Sequence, residues 1–179
     1  MEENFKSGFV TIVGRTNVGK STLINLLVGE KVAAIANKVQ TTRTAIKGIV
    51  NRENSQIIIT DTPGIHKPKH KLNETMVETS FAMIPDCDVV LFLIEATSED
   101  IGRGDRIILD KIKESNKKTI LIINKIDLVK RDSLLNLIDI YSKEYPFTAV
   151  IPISATQGKY KNIVLDEIEK NLKPGPAYY

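Results

Sequence analysis

A chain of 179 residues suits one hydrophobic core and leaves little room for a second, and 42% hydrophobic with 26% charged residues marks a globular domain, neither disordered nor fibrous. The net charge of +3 is a weak field for holding nucleic acid or an anionic membrane, and an aromatic fraction of 6% without Trp argues against an aromatic-rich binding surface. The polar start MEENFKSG is no signal peptide and no apolar run approaches the ~18 residues of a membrane span, so the reading is a cytoplasmic protein.

The first apolar run, FVTIV at 9–13, is apolar at nearly every position, which suits a strand covered on both faces of a parallel sheet. It ends in GRTNVGKST, after which apolar residues at 23–27 take up helical spacing. G-x-x-x-x-G-K-S between a buried strand and a helix is a P-loop. Its glycines let backbone N–H groups turn inward around phosphate oxygens, and the helix N-terminus adds partial positive charge. Gly14, Arg15, Thr16, Asn17, Val18, Gly19, Lys20, Ser21 and Thr22 are therefore candidate nucleotide-binding residues. Lys20 suits a catalytic charge on the β- and γ-phosphates, and the Ser21 hydroxyl suits the hard Mg²⁺ ion that bridges them. Arg15, and Arg43 further on, lie in loops and read as solvated or phosphate-screening arginines rather than internal arginine fingers.

The stretch EKVAAIANKVQTTR fits no element, and loops of this length in a compact domain are usually functional or mobile. TAIKGIVN at 44–51 and IIIT at 57–60, joined by a polar turn, predict a hairpin that adds one antiparallel strand to the sheet. That run ends in TDTPG, where Asp61 emerges at the carboxyl edge of the sheet, the ligand-binding edge of open α/β folds. A carboxylate there can hold Mg²⁺ through water. Thr62 and Pro63 share its nucleotide-facing turn, and Gly64 leaves its backbone N–H free for a γ-phosphate. The following HKPKHK brings His66 and His70 close to Lys67, Lys69 and Lys71, but Pro68 breaks helical spacing and no third ligand is near. The segment reads as a basic loop that contacts RNA or a partner, or is simply solvated. Met76, Phe81 and Met83 read as core packing.

Two further aliphatic runs, VVLFLIE and KTILIIN, and a third, TAVIPIS, alternate with helical spacing at 107–112, 134–141 and 163–172. Strand then helix, repeated, gives a doubly wound α/β sheet. Cys87, the one cysteine, cannot form an internal disulfide and reads as a small buried residue at a strand start. The second run ends in NKID. The two acceptor oxygens of Asp127 match the adjacent N1–H and exocyclic amine of guanine, a pair that adenine lacks, which weighs against an ATP-dependent enzyme. Asn124 and the stem of Lys125 are placed to tie this base loop to the P-loop and cover the base. In ISATQG, Ser154, Ala155 and Thr156 sit where a backbone N–H can meet the guanine O6. The closing KPGPAYY cannot continue a helix, so residues 1–172 read as a GTP-binding domain and 173–179 as the start of a linker to a further domain.

Taken in order, GRTNVGKSTLIN, QTTR, DTPGIHKPKHKLN, NKID and SAT resemble the Era family of P-loop GTPases, bacterial ribosome-assembly proteins. The resemblance implies a three-layer fold with a six-stranded, mostly parallel mixed sheet flanked by about five helices. It places Thr42 in a switch loop as a Mg²⁺ ligand and γ-phosphate sensor, beside Ser21 and Asp61, and gives Asn17 a K⁺ ion that neutralises charge developing in transfer. Lys20, Thr42, Gly64 and Asn17 are the implied catalytic set. Ile65 stands where Ras-like enzymes carry a water-orienting Gln, which implies slow intrinsic hydrolysis stimulated by K⁺. The implied cofactors are GTP or GDP, Mg²⁺ and K⁺. The implied partners are 16S rRNA and the small ribosomal subunit, met mainly through a C-terminal KH-type domain, with a peripheral membrane contact besides. Two functions fit: a switch that hydrolyses GTP, or an RNA-binding module that nucleotide merely gates.

Overall fold

In the fourth strand every residue from position 89 to 94 is buried, because helices cover both faces of the sheet and leave an aliphatic strand no polar side to present. The computed structural model describes residues 4–29, 45–61 and 86–179. These form β1 (Lys6–Gly14), α1 (Lys20–Val28), β2 (Ala45–Asn51), β3 (Ser55–Asp61), β4 (Val89–Glu95), α2 (Arg103–Ser115), β5 (Thr119–Asn124), α3 (Arg131–Ser142), β6 (Ala149–Pro152), α4 (Lys161–Lys170) and β7 (Lys173–Pro174). The main path of the sheet runs β2-β3-β1-β4-β5-β6. β1 is central, parallel to β3 with Val10 opposite Ile59 and to β4 with Ile12 opposite Leu91. β2 and β3 form the expected antiparallel hairpin, with an irregularity between Ile46 and Gly48.

Successive residues of each strand enter opposite cores. Ile12 and Leu91 face the core that Leu23 and Leu27 of α1 share with Val164, Leu165 and Ile168 of α4. Val13 and Phe92 face the other, filled by Ile108, Leu109 and Ile112 of α2 and by Leu137 and Tyr141 of α3. Each such side chain, once removed from water, contributes about 1.5–3 kcal/mol, which is why a β-rich aliphatic pattern so short still fixes the register. Cys87 is buried just before β4, as expected.

The sheet departs from expectation at its end. It has a seventh strand, since Lys173 and Pro174 pair antiparallel with Ser7 and Lys6. Beyond it the chain is held. Gly175 N–H donates to the Phe5 carbonyl at 2.9 Å, Ser7 Oγ donates to the Pro176 carbonyl at 2.7 Å, and the Tyr178 ring lies 5.3 Å from that of Phe9. Gln56 Oε1 accepts from the N–H groups of Tyr178 and Tyr179 at 2.8 and 3.1 Å, and its Nε2 donates to the Tyr179 carbonyl at 3.0 Å. Proline and glycine do stop the helix, which closes at Lys170. They do not stop an extended segment from pairing at a strand end that still has unused backbone groups. Four α-helices lie among the described residues where about five were expected; residues 62–85 are outside them.

Candidate nucleotide site

The P-loop runs from the end of β1 to the start of α1, and its shape is fixed by three unusual positions. Val18 is fully buried in the α1-side core, Asn17 has φ 65° and Gly19 has φ 106°. A β-carbon at Gly19 would collide with Asn124 Nδ2, so both its conformation and its crowding require glycine. One at Gly14 would lie 2.8 Å from the Leu93 carbonyl oxygen. Helix α1 begins at Lys20 with no side-chain cap and no acidic residue in its first turn. Its first N–H groups therefore have no local acceptor, which is the arrangement an anion satisfies.

The base loop braces the P-loop from the end of β5. Asn124, 4% exposed, donates from Nδ2 to the Val18 carbonyl at 2.9 Å. Its Oδ1 accepts from the Lys125 N–H at 2.8 Å and the Ala155 N–H at 2.9 Å. Lys125, itself at φ 69°, donates from Nζ to the Asn17 carbonyl at 3.1 Å. All peptides here are trans, so carbonyls of Asn17 and Val18 turned toward the base loop aim the N–H groups of Val18 and Gly19 the other way, where a phosphate can take them. The tie expected of Asn124 and Lys125 is thus present. Asp127 follows in the 3₁₀ turn Ile126–Leu128, exposed and with no side-chain partner among the described residues. Ser154 and Ala155 are buried beside it and Thr156 is exposed, with the Ser154 and Thr156 hydroxyls 3.3 Å apart.

Arg15 departs from the reading of a wholly solvated arginine, since its side chain is 31% exposed and two carboxylates hold its guanidinium. Its Nε donates to Asp105 Oδ1 at 3.0 Å and its Nη2 to Glu95 Oε1 at 3.2 Å. Glu95 Oε2 in turn accepts from Lys125 Nζ at 2.6 Å. Lys125 chiefly, with Arg15 behind it, holds the Glu95 carboxyl below its ordinary pKa against the opposing effect of burial. Burial pushes the Asp105 carboxyl up despite Arg15 and the Tyr141 hydroxyl beside it, and among the described residues neither Asp105 Oδ2 nor that hydroxyl has a partner in full hydrogen-bond geometry. Burial works against the Arg15 charge, yet the two carboxylates together raise its pKa. Glu95 and Asp105 escaped the sequence reading. The one signal was Gly104, where a β-carbon would sit 2.8 Å from Arg15 Cδ.

Ser21 and Thr22 are exposed on the first turn of α1, and Thr16 is exposed in the loop. Asp61 ends β3 as expected, with its backbone opposite Ala45. Thr42, Arg43, Thr62, Pro63, Gly64, Ile65 and the HKPKHK loop lie outside the described residues, as do Met76, Phe81 and Met83. Among the described residues no group of three His, Cys, Asp or Glu side chains could hold a metal ion, and no helix is long and apolar enough to cross a membrane.

Known proteins resemble this chain in sequence and fold. The GTPase Era of Clostridium perfringens is 49% identical over 175 residues, 98% of this chain, and the chain spans 59% of that relative's length. A structure of Era in complex with MgGDPNP and nucleotides 1506–1542 of 16S ribosomal RNA matches at 42% identity and a TM-score of 0.78, covering 98% of this chain and 60% of that one. An Aquifex aeolicus Era variant bound to GDP and AlF₄⁻ matches at 41% identity and a TM-score of 0.75, with the same coverage of both chains. Residues 9–125, from β1 to the base-loop lysine, match the 50S ribosome-binding GTPase family, and with its P-loop braced from the NKID turn the chain belongs to that family.

Proposed function

We propose that the chain binds guanine nucleotide and hydrolyses GTP to GDP and phosphate as a molecular switch in assembly of the small ribosomal subunit. One observation carries the reading: the P-loop carbonyls are drawn into the base loop, so its N–H groups are left for phosphate, while the Asp127 carboxylate, exposed and without a side-chain partner among the described residues, stands at the base end. Gly14 to Thr22 surround the phosphates, Asn124, Lys125 and Asp127 with Ser154, Ala155 and Thr156 hold the base, and Asp61, Thr62, Pro63 and Gly64 close the γ-phosphate side.

The residues present suit Mg²⁺, since the Ser21 hydroxyl is exposed at the uncapped start of α1, with Thr42 and Asp61 as its other ligands. Bound there, the ion would supply charge neutralisation between the β- and γ-oxygens. Lys20 brings a second positive charge to the same oxygens, and the N–H groups at the helix start hold them in line for attack by water. Asn17, exposed in its left-handed conformation, presents an amide oxygen for K⁺ beside the phosphates. Ile65 cannot hydrogen-bond water, so hydrolysis without a partner is slow, on the order of 10⁻⁴ to 10⁻² s⁻¹. The switch works in the cytoplasm. The Era complex with 16S ribosomal RNA supports RNA as partner, and the greater length of the relatives supports residues 173–179 leading to a further domain, which we read as KH-type and RNA-binding. A peripheral membrane contact belongs to the same proposal. That same RNA complex favours a second reading, in which nucleotide only gates RNA affinity.

Single-turnover hydrolysis of GTP and ATP with Mg²⁺, in K⁺ and in Na⁺ at equal ionic strength, tests the proposal. Cleavage of GTP alone, faster in K⁺, is expected. Equal use of ATP refutes the role of Asp127, and equal rates in both cations refute that of Asn17. RNA affinity that is the same with GTP and GDP removes gating.

A further inference from the structure

Arg15 and Asn17 stand two residues apart in the P-loop and are tied to one carboxylate by different routes. Glu95 takes Arg15 at Oε1 and Lys125 at Oε2, and Lys125 returns to the loop at the Asn17 carbonyl. The loop, the end of β4 and the base loop thereby close a ring. Asp105 enters this ring from outside. It lies in the first turn of α2, its side chain is 1% exposed, and it accepts from Arg15 Nε, whereas Glu95 accepts from Nη2. Gly104 beside it admits the Arg15 stem at a distance no side chain would allow.

A guanidinium is a flat fork, and holding two of its nitrogens fixes its plane better than holding one. With Asp105 in place Nε and Nη2 are both held, so the Glu95 carboxylate sits firmly between Arg15 and Lys125. Without it, Arg15 keeps one contact, Glu95 gains freedom to follow it, and the grip of Lys125 on the loop slackens. The four side chains also balance, two cations against two carboxylates, so the ring adds no net charge beside the phosphates. Arg15 accordingly acts as a brace and not as a finger.

We propose that Asp105 is a positioning residue for nucleotide retention: through Arg15 and Glu95 it fixes Lys125 against the P-loop, and it thereby slows release of guanine nucleotide. The inference rests on the reading of this site as a guanine-nucleotide site.

The test is release of a fluorescent GDP analogue, chased with excess GDP, from the unaltered protein, Asp105→Asn, Lys125→Ala and the double variant. Arg106→Gln serves as control, being on the same helix but paired with Glu144 away from the ring. Asp105→Asn should speed release about tenfold, equivalent to about 1.4 kcal/mol. The double variant should release no faster than Lys125→Ala alone, within about twofold, because the effect of Asp105 passes through that lysine. A role confined to folding predicts instead that the two effects multiply, and that outcome, or release from Asp105→Asn within about twofold of the unaltered protein, overturns the proposal. Melting without nucleotide checks each variant's fold; should Asp105→Asn fail it, Glu95→Gln interrupts the same ring and carries the same expectation and the same refutation. Failure of the unaltered protein to retain the analogue overturns the nucleotide reading itself, whereas tight retention with Asp105→Asn unchanged overturns only the relay.

Discussion

Asn124→Ala removes a side chain that satisfies three backbone groups at once: the Val18 carbonyl, the Lys125 N–H and the Ala155 N–H. Each bond is worth about 1 kcal/mol net, and a buried partner left unsatisfied costs about 1–3 kcal/mol. Since Val18 and Ala155 are buried, the three losses sum to about 3–7 kcal/mol, a large share of the roughly 5–15 kcal/mol that holds a domain together. At about 2–4 °C per kcal/mol for a chain of this size, the melting midpoint should fall by about 6–28 °C. Urea unfolding followed by circular dichroism, without nucleotide, measures the loss directly, and an unchanged slope certifies that the same surface is exposed. GDP affinity should fall as well, because the Val18 carbonyl is no longer drawn toward β5 and the N–H groups behind it lose their aim. A loss below about 1 kcal/mol at constant slope would mean that water replaces the amide without cost, and the account of the brace would be wrong.

Three further outcomes are expected. Gly19→Ala, forced to φ 106° and into Asn124, should cost about 1–3 kcal/mol and weaken GDP binding, and unaltered thermal unfolding would contradict the crowding seen there. Tyr141→Phe removes a buried hydroxyl that lies beside the Asp105 carboxyl but outside full hydrogen-bond geometry with any described residue, and it keeps the edge-to-face contact with Phe92, so denaturant stability should be unchanged or rise by about 1 kcal/mol; a clear loss would show that the hydroxyl bonds Asp105. Glu95 has its pKa depressed in the fold by Lys125 and Arg15, so its carboxylate stabilises the protein above the ordinary value of 4.5, and the benefit disappears as pH falls through the lowered folded value. The melting gap between the unaltered protein and Glu95→Gln should therefore be widest near neutral pH and close in acid. Asp105, raised by burial, has the opposite sign, but both proteins carry it, and a gap that widened in acid would refute the assignment to Glu95.

The strands were legible because each is aliphatic along its whole length, and the hairpin because its two runs are separated by a short polar turn. The P-loop and the base loop were legible for a different reason: glycine, lysine and the NKID residues constrain the backbone within a few positions of themselves. The tail was not, because its partner is the side chain of Gln56, 123 positions before Tyr179, and nothing in KPGPAYY specifies an acceptor that distant. Val18 looks like an ordinary loop residue and is in fact a core residue, fully buried while its carbonyl accepts from Asn124.

Arg15 shows where such reading stops. A loop motif specifies the direction of backbone N–H groups, and those follow from φ and ψ over a handful of residues. The direction of a long charged side chain in the same loop follows from whichever opposite charges the fold brings near, here one 80 positions away at the end of β4 and one 90 positions away in α2. Both carboxylates sit where local pattern assigns them other work: Glu95 ends an apolar strand, and Asp105 favours the positive end of a helix as an acid in any first turn does. Only their convergence on one guanidinium separates a brace from a finger. In that convergence Gly104 clears the space for the Arg15 stem, and Asp105 takes the second nitrogen of its guanidinium.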